Sequence, residues 1–238
     1  MSSPYLELQN ELPRVTNRVL YRSDKPRWVM VVDLRRCVGC YSCQASCKME
    51  NGVPFEFFRT KVLIVEGTRR GVSREDGLPA AARVFLPVLC NHCNNPTCIS
   101  VCPVGATFKR DDGVVVIDYD KCIGCGYCVP ACPYGARYLN TEVGKADKCD
   151  YCLHRLSEGL LPACVENCPT GARIFGDLNH PDSPVRRILS EEKVSVLKPE
   201  TGNDPQVFYV GLEEVTTVEP HSVATPHGLF SKSGGGGK

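Results

Sequence analysis

Sixteen cysteines stand in this chain of 238 residues, and all of them fall into groups of four. The first group is Cys37, Cys40, Cys43 and Cys47; the second is Cys90, Cys93, Cys98 and Cys102. The third is Cys122, Cys125, Cys128 and Cys132; the fourth is Cys149, Cys152, Cys164 and Cys168. Groups one and three share the spacing C-x2-C-x2-C-x3-C and carry an aspartate four residues ahead, Asp33 and Asp118. Groups two and four share C-x2-C, a longer gap, a proline two residues before the third cysteine (Pro96, Pro162) and a final x3-C-P. The quartets therefore form an internal repeat in the order A, B, A′, B′.

Sulfur at this spacing points to metal chemistry. Three cysteines separated by two residues each let a tight loop wrap three corners of an iron–sulfur cubane with its N–H groups turned to the sulfurs, and Gly39 and Gly124 permit that close approach. A fourth cysteine after a further x3 lies on the following helix and points away, which is why in two-cluster ferredoxins it ligates the other cluster. Structural zinc is the competing reading. Four-cysteine zinc sites combine two C-x2-C pairs, a pattern that quartets two and four could be forced into and quartets one and three could not easily adopt. Disulfides suit small secreted proteins, but "MSSPYLELQNELPRVTNRVLYRSDKPR" has neither a basic and then apolar leader pattern nor the paired arginines of a twin-arginine signal. Four 4Fe-4S clusters are the cofactors these residues predict.

The elements that would position the sulfurs follow from the intervening sequence. "GATFKRDDGVVVIDYDK", between quartets two and three, is an apolar run, an Asp-Gly turn and a β-branched run, and predicts a hairpin. Quartets two and three then make one ferredoxin-like unit, with Cys90, Cys93, Cys98 and Cys132 on one cluster and Cys122, Cys125, Cys128 and Cys102 on the other. By elimination quartet one pairs with quartet four: Cys37, Cys40, Cys43 and Cys168 on one cluster, Cys149, Cys152, Cys164 and Cys47 on the last. "GARYLNTEVGKADK", between quartets three and four, also reads as a hairpin, so pairing one with two and three with four stays open. The predicted fold class is α+β: two ferredoxin-like units, one inserted in the other, each with two 4Fe-4S clusters, plus irregular terminal extensions. Residues 1–28 form an N-terminal arm, 29–66 and 146–180 unit one, 67–145 unit two, and 181–238 a C-terminal interface segment with a flexible tail ending "SKSGGGGK".

One local difference stands out. In "CPVGAT", "CPYGAR" and "CPTGAR" a proline stops the cysteine-bearing helix, whereas "CKMENGVP" delays its breakers to Gly52 and Pro54, so a longer helix is predicted there. Among other residues, His92 sits inside a cysteine loop whose corners already have ligands, so a packing or hydrogen-bonding role is expected of it. Tyr41, Tyr127 and Tyr134 are expected to be aromatic lids over the clusters. Lys48, Lys121, Lys148, Arg137 and Arg173 flank the cysteines either as counter-charges or as ordinary solvated charge, and the sequence favours neither.

The 28 basic and 27 acidic residues give a formal charge of +1, with no signature of a nucleic-acid partner or of a polybasic membrane patch. Four clusters of about −2 each would bring the total to about −7. No segment approaches the roughly 18 apolar residues of a spanning helix, so no direct membrane span is predicted.

The stretches "DLRRCVGCYSCQASCKMENGVP", "LPVLCNHCNNPTCISVCPVGAT", "DKCIGCGYCVPACPYGARYLN" and "KADKCDYCLHRLSEGLLPACVENCPTGARIFGDL" together resemble the iron–sulfur electron-transfer subunit of membrane-associated molybdopterin oxidoreductases, such as polysulfide, thiosulfate, tetrathionate and DMSO reductases. The likeness spans residues 28 to 200 or so. It implies four 4Fe-4S clusters in a line, no catalytic residue in this chain, and two partners: a molybdopterin-containing catalytic subunit and an integral membrane quinone-binding subunit. It also implies the pairing of quartet one with four and of two with three. Relatives that hold a 3Fe centre carry tryptophan in place of one cysteine of the third quartet; Cys125 here implies a cubane. The protein would be peripheral on the plasma membrane through its partner, either cytoplasmic or periplasmic by co-export with a signal-bearing partner. Two alternatives are the iron–sulfur partner of a quinol-oxidising membrane protein feeding a cytochrome nitrite reductase, and a free polyferredoxin. The gap from Cys47 to Cys90 and the segment after residue 180 speak against the latter, since such material suits an interface.

Overall fold

The computed structural model describes residues 20–225 and 228–230; residues 1–19 of the N-terminal arm and 231–238 of the tail lie outside them. In chain order the elements are β1 (Trp28–Asp33), α1 (Ser42–Asn51), β2 (Thr60–Ser73), β3 (Pro79–Leu89), α2 (Thr97–Ser100), β4 (Thr107–Lys109), β5 (Val115–Ile117), β6 (Arg137–Asn140) and β7 (Lys145–Lys148). They are followed by α3 (Leu153–Ser157), α4 (Ala163–Glu166), β8 (Arg173–Asp177), α5 (Pro184–Glu191), β9 (Val194–Ser195), β10 (Val207–Val210), α6 (Leu212–Thr216), β11 (Val218–Thr225) and β12 (Gly228–Phe230). None of the described helices is long and apolar enough to cross a membrane.

The sequence "WVMVVD" of β1 is apolar almost without alternation, as a strand covered on both faces requires, and every residue of it is buried. It lies inside a four-stranded sheet of order β8-β1-β10-β9. Trp28 stands opposite Asp177 and Val32 opposite Arg173, so the strand entering quartet one is antiparallel to the strand leaving quartet four. On its other side β1 runs parallel to β10, with Met30 opposite Val207. The main core collects beneath this sheet: Met30, Val32, Phe175 and Tyr209 share it with Cys43, Cys90, Cys149 and Cys164.

Both hairpin stretches form hairpins, β4 with β5 and β6 with β7. The longer helix is present too. The ten residues of α1 run on to Gly52, whose left-handed φ of 55° turns the chain, while α2 and α4 have four residues each. Between Cys128 and Cys132 of the third quartet the chain makes turns instead of the helix that spacing suggested. A second sheet, β12-β11-β2-β3, is built on the long ribbon of β2 and β3, and β2 runs through residues 66 and 67 as one strand. The described residues after 180 are not irregular as predicted. "VFYV" of β10 is a short buried run that joins the central sheet by long-range pairing, for which four residues give no local signal.

Asp177 fastens the chain before β1 to this sheet. Its buried carboxylate accepts hydrogen bonds from the Ser23 N–H at 2.7 Å, the Ser23 hydroxyl at 2.6 Å, the Arg27 N–H at 2.7 Å and the Asn179 N–H at 2.9 Å. Burial opposes its charge, but these donors outweigh burial and hold it below the usual carboxylate range. Asp177→Ala is therefore expected to lower stability by about 2 kcal/mol, read as a fall in the urea midpoint, because several half-buried donors lose a buried charged acceptor. The contribution is present above the ordinary carboxylate pKa and fades as pH falls through the lowered folded value. A loss within about 0.5 kcal/mol of zero would mean that the loop is held by other contacts.

Candidate metal centres

None of the sixteen cysteines is joined to another in a disulfide. Cys90 follows the end of β3, Cys93 lies in the next loop, and Cys98 is in α2. These three line one cavity together with Cys132, the last cysteine of the third quartet, which a turn over residues 127–131 brings there. Burial raises the Cys93 thiol to about 12, and neighbouring Cys90 adds to the rise. A thiolate there is kept only by nearby cations, such as the iron it would bind.

Cys47 is buried on α1, which packs against α4. Burial raises its thiol, and the sulfurs that add to the rise are Cys164 and Cys152, both of the fourth quartet. Cys149 has Cys47, Cys164 and Cys152 as its sulfur neighbours. The side-chain amide of Asn51 donates to the sulfurs of Cys47 and Cys152, 3.6 Å from each. Cys37 has Cys43 and Cys168 beside it. Cys128 is buried with Cys98, Val115 and Ala146, and Cys122 packs on that group. The Cys102 sulfur accepts the Ala106 N–H at 3.2 Å.

Cys40 and Cys125 are the exposed cysteines; the others are buried or half-buried. Among the described residues no three His, Cys, Asp or Glu side chains converge on a point that could hold a single metal ion. A cubane makes a different demand, one thiolate for each of four separate irons. A four-thiol cavity and buried sulfurs with a cation beside them fit that group. Gly39 and Gly124 have left-handed φ values of 66° and 71°, as the tight loops need. A side chain at either would also strike a neighbour, the Phe85 ring or the Gly144 carbonyl, so the close approach at these glycines is to protein.

His92 takes the packing role expected of it. Its Nδ1 accepts the Val115 N–H at 3.1 Å, which leaves the ring proton on Nε2, and burial keeps the imidazole neutral. The ring stacks on Tyr151 with centroids 3.8 Å apart. His92 and Tyr151 are both the third residue of a C-x-x-C loop, both have positive φ, and so the loops of quartets two and four meet through one aromatic pair. Sequence reasoning passed over Tyr151, although the repeat puts it in register with His92. Of the tyrosines expected to be lids, Tyr41 and Tyr134 pack against the core, but Tyr127 is 64% exposed and shields little.

Burial separates the five cations that the sequence left undecided. Lys48 turns from the sulfurs to donate to the carbonyls of Pro54 at 2.6 Å and Phe55 at 2.8 Å, and Lys121 pairs with Asp118 at the surface. Lys148, Arg137 and Arg173 are buried. The Lys148 ammonium donates to the carbonyls of Val115 and Cys149. Arg173 Nη1 lies 3.6 Å from the Cys164 sulfur. Burial opposes the charge of both arginines, and the thiols around them outweigh it: Cys43 and Cys164 for Arg173, Cys98, Cys90 and Cys128 for Arg137.

Residues 81–178 match the family model for a 4Fe-4S dicluster domain. A tetrathionate reductase subunit of Salmonella typhimurium is 52% identical, the match covering 81% of this chain and 75% of that protein. A tetrathionate reductase subunit of Archaeoglobus fulgidus is 48% identical over 79% of this chain and 84% of its own. The thiosulfate reductase electron transfer subunit PhsB of Salmonella typhi is 43% identical over 71% of this chain and 84% of its own.

Proposed function

Because this chain belongs to the family of iron–sulfur electron-transfer subunits of the tetrathionate and thiosulfate reductase type, we propose that it relays electrons through four 4Fe-4S clusters between a molybdopterin-containing catalytic subunit and a quinone-binding membrane subunit. A bound cubane takes up and releases single electrons; the chain's own residues hold it, set its surroundings and exclude water. The ligand sets are Cys37, Cys40, Cys43 and Cys168; Cys149, Cys152, Cys164 and Cys47; Cys90, Cys93, Cys98 and Cys132; and Cys122, Cys125, Cys128 and Cys102. The observation that carries this is the crossing of fourth cysteines, with Cys132 in the cavity of Cys90, Cys93 and Cys98, and Cys47 beside Cys164 and Cys152.

Two ferredoxin-like units follow, one inserted in the other. The β1–β8 ladder supports this by tying the start of quartet one to the end of quartet four around everything between them. The units touch through His92 and Tyr151, which puts the Cys90 site next to the Cys149 site. The line of transfer then runs from the Cys122 site through the Cys90 and Cys149 sites to the Cys37 site, and the exposed Cys125 and Cys40 mark its two ends. Ile123 and Tyr127 near one end and Val38 near the other are exposed apolar side chains suited to a partner's surface.

The test is metal content and association. Anaerobically purified protein is expected to hold about sixteen iron and sixteen acid-labile sulfide per chain, with visible absorbance that dithionite bleaches. Colourless protein with stoichiometric zinc would sink the proposal, and about twelve iron would remove one cluster. Co-expression with its partners is expected to bring the chain to the membrane fraction, whereas a stable soluble monomer from native cells would favour a free carrier.

A further inference from the structure

The first residue of the strand that leaves each quartet is Thr60 in β2, Thr107 in β4, Arg137 in β6 and Arg173 in β8. Within each unit one threonine meets one arginine. Arg173 Nη2 donates to the Thr60 hydroxyl at 2.7 Å, and Arg137 Nη1 donates to the Thr107 hydroxyl at 3.1 Å. All four residues are at least nine-tenths buried. The two halves of each unit thus contribute the same strand position to one contact, and one of the two carries a full charge.

That charge has no carboxylate partner among the described residues. Half-buried Arg59 shows the usual arrangement, with Asp147 at 2.9 Å and Asp150 at 3.4 Å. The acidic groups that favour the charge of Arg137 are Cys98 and Cys90 of one site and Cys128 of the other. For Arg173 they are Cys43 and Cys168 of one site, Cys164 of the other, and Tyr209. Arg137 Nη2 and Arg173 Nε are buried with no protein acceptor, so each guanidinium keeps a donor for something the polypeptide does not supply. A buried guanidinium without an anion is strongly destabilising. A cubane with four thiolates carries about −2 when oxidised and one more negative charge when reduced, which makes it the missing anion.

We propose that Arg137 and Arg173 are shared counter-ions, each seated by its threonine between the two clusters of one unit and raising the reduction potential of both. This rests on the four-cluster reading above. Reduction adds negative charge, so a fixed cation between two clusters favours the reduced form of each. One substitution then shifts two centres and leaves the other unit's two alone. Lys148 does not share this position, because its donors face carbonyls.

Redox titration of the assembled complex, followed by EPR, tests the assignment. Arg137→Gln is expected to lower two of the four midpoint potentials by at least about 59 mV, a tenfold fall in the reduced-to-oxidised ratio of a one-electron couple. Arg173→Gln is expected to lower the other two. Lysine at either position keeps the charge and is expected to recover most of the shift, which a purely structural arginine would not allow. If a glutamine variant fails to assemble, Thr107→Asp and Thr60→Asp decide, since each leaves the arginine in place and neutralises it; they are expected to lower the same pairs. Four centres with unmoved potentials, a shift confined to one centre, or an equal shift of all four would each overturn the shared seat. Fewer than four centres in the parent complex would instead defeat the four-cluster reading.

Discussion

Cys47→Ser is expected to alter or abolish the centre held by Cys149, Cys152 and Cys164 while the centre of Cys37, Cys40 and Cys43 keeps its full ligand set. Cys168→Ser is expected to do the reverse. The cause is directional. Cys47 sits one helical turn beyond Cys43 on α1, and α1 lies against α4, which carries Cys164. Its sulfur shares the Asn51 amide with Cys152, so serine there removes a ligand at the distant loop. Serine is a poor replacement for thiolate at iron, and up to about four of about sixteen irons per chain should go with the lost cluster. EPR and iron analysis of the two variants read this directly. Should Cys47→Ser reproduce the spectrum of Cys37→Ser, the quartets are self-contained and the exchange is wrong. Should it reproduce that of Cys90→Ser, the exchange holds but quartet one belongs with quartet two.

What the sequence made legible was local. Cysteine spacing, the Asp-Gly turn of the β4–β5 hairpin and the late breakers after Cys47 each act within a dozen or so residues; the turn and the breakers produced the elements expected of them, while the spacing gave a helix in quartet one and turns in quartet three. What it hid was long-range. The parallel neighbour of β1 is a four-residue strand almost 180 residues further on, and nothing in "VFYV" announces that partner. The flanking cations show the same limit. Lys48 and Arg173 both flank cysteines, but one lies half-buried near a helix end where it reaches the Pro54 and Phe55 carbonyls, and the other begins a fully buried strand. Position in the A, B, A′, B′ repeat carried the missing signal, since the arginines share a strand position with Thr60 and Thr107 and the lysines do not. The Tyr151–His92 stack follows the same rule.

A second long-range network sets the other large expected effect. Arg59, just before β2, pairs with Asp147 of β7 at 2.9 Å, and the carboxylate also accepts hydrogen bonds from the Tyr119 hydroxyl at 2.7 Å, the Lys148 N–H at 2.7 Å and the Tyr138 hydroxyl. Burial raises the Asp147 pKa, but Arg59 and the two hydroxyls outweigh it and hold the group below the usual range. Its stabilisation is therefore present above the ordinary carboxylate pKa and is lost as pH falls through the lowered value. Asp147→Ala leaves half-buried Arg59 with only Asp150 at 3.4 Å as a carboxylate partner, and is expected to cost about 3 kcal/mol by urea denaturation under anaerobic conditions. Arg59→Met is expected to be comparably harmful. The double variant should lose much less than the sum, because neither half of the pair is then left unmatched. The consequence reaches the Cys149 site, since Arg59 Nη1 donates to Asn51 Oδ1 at 2.9 Å and so orients the amide that bonds the sulfurs of Cys47 and Cys152. Asp147→Ala should therefore perturb that centre's EPR signal before the Cys37 and Cys122 sites change. Uniform weakening of all four signals would make the network a support of the whole fold, with no special hold on this cluster.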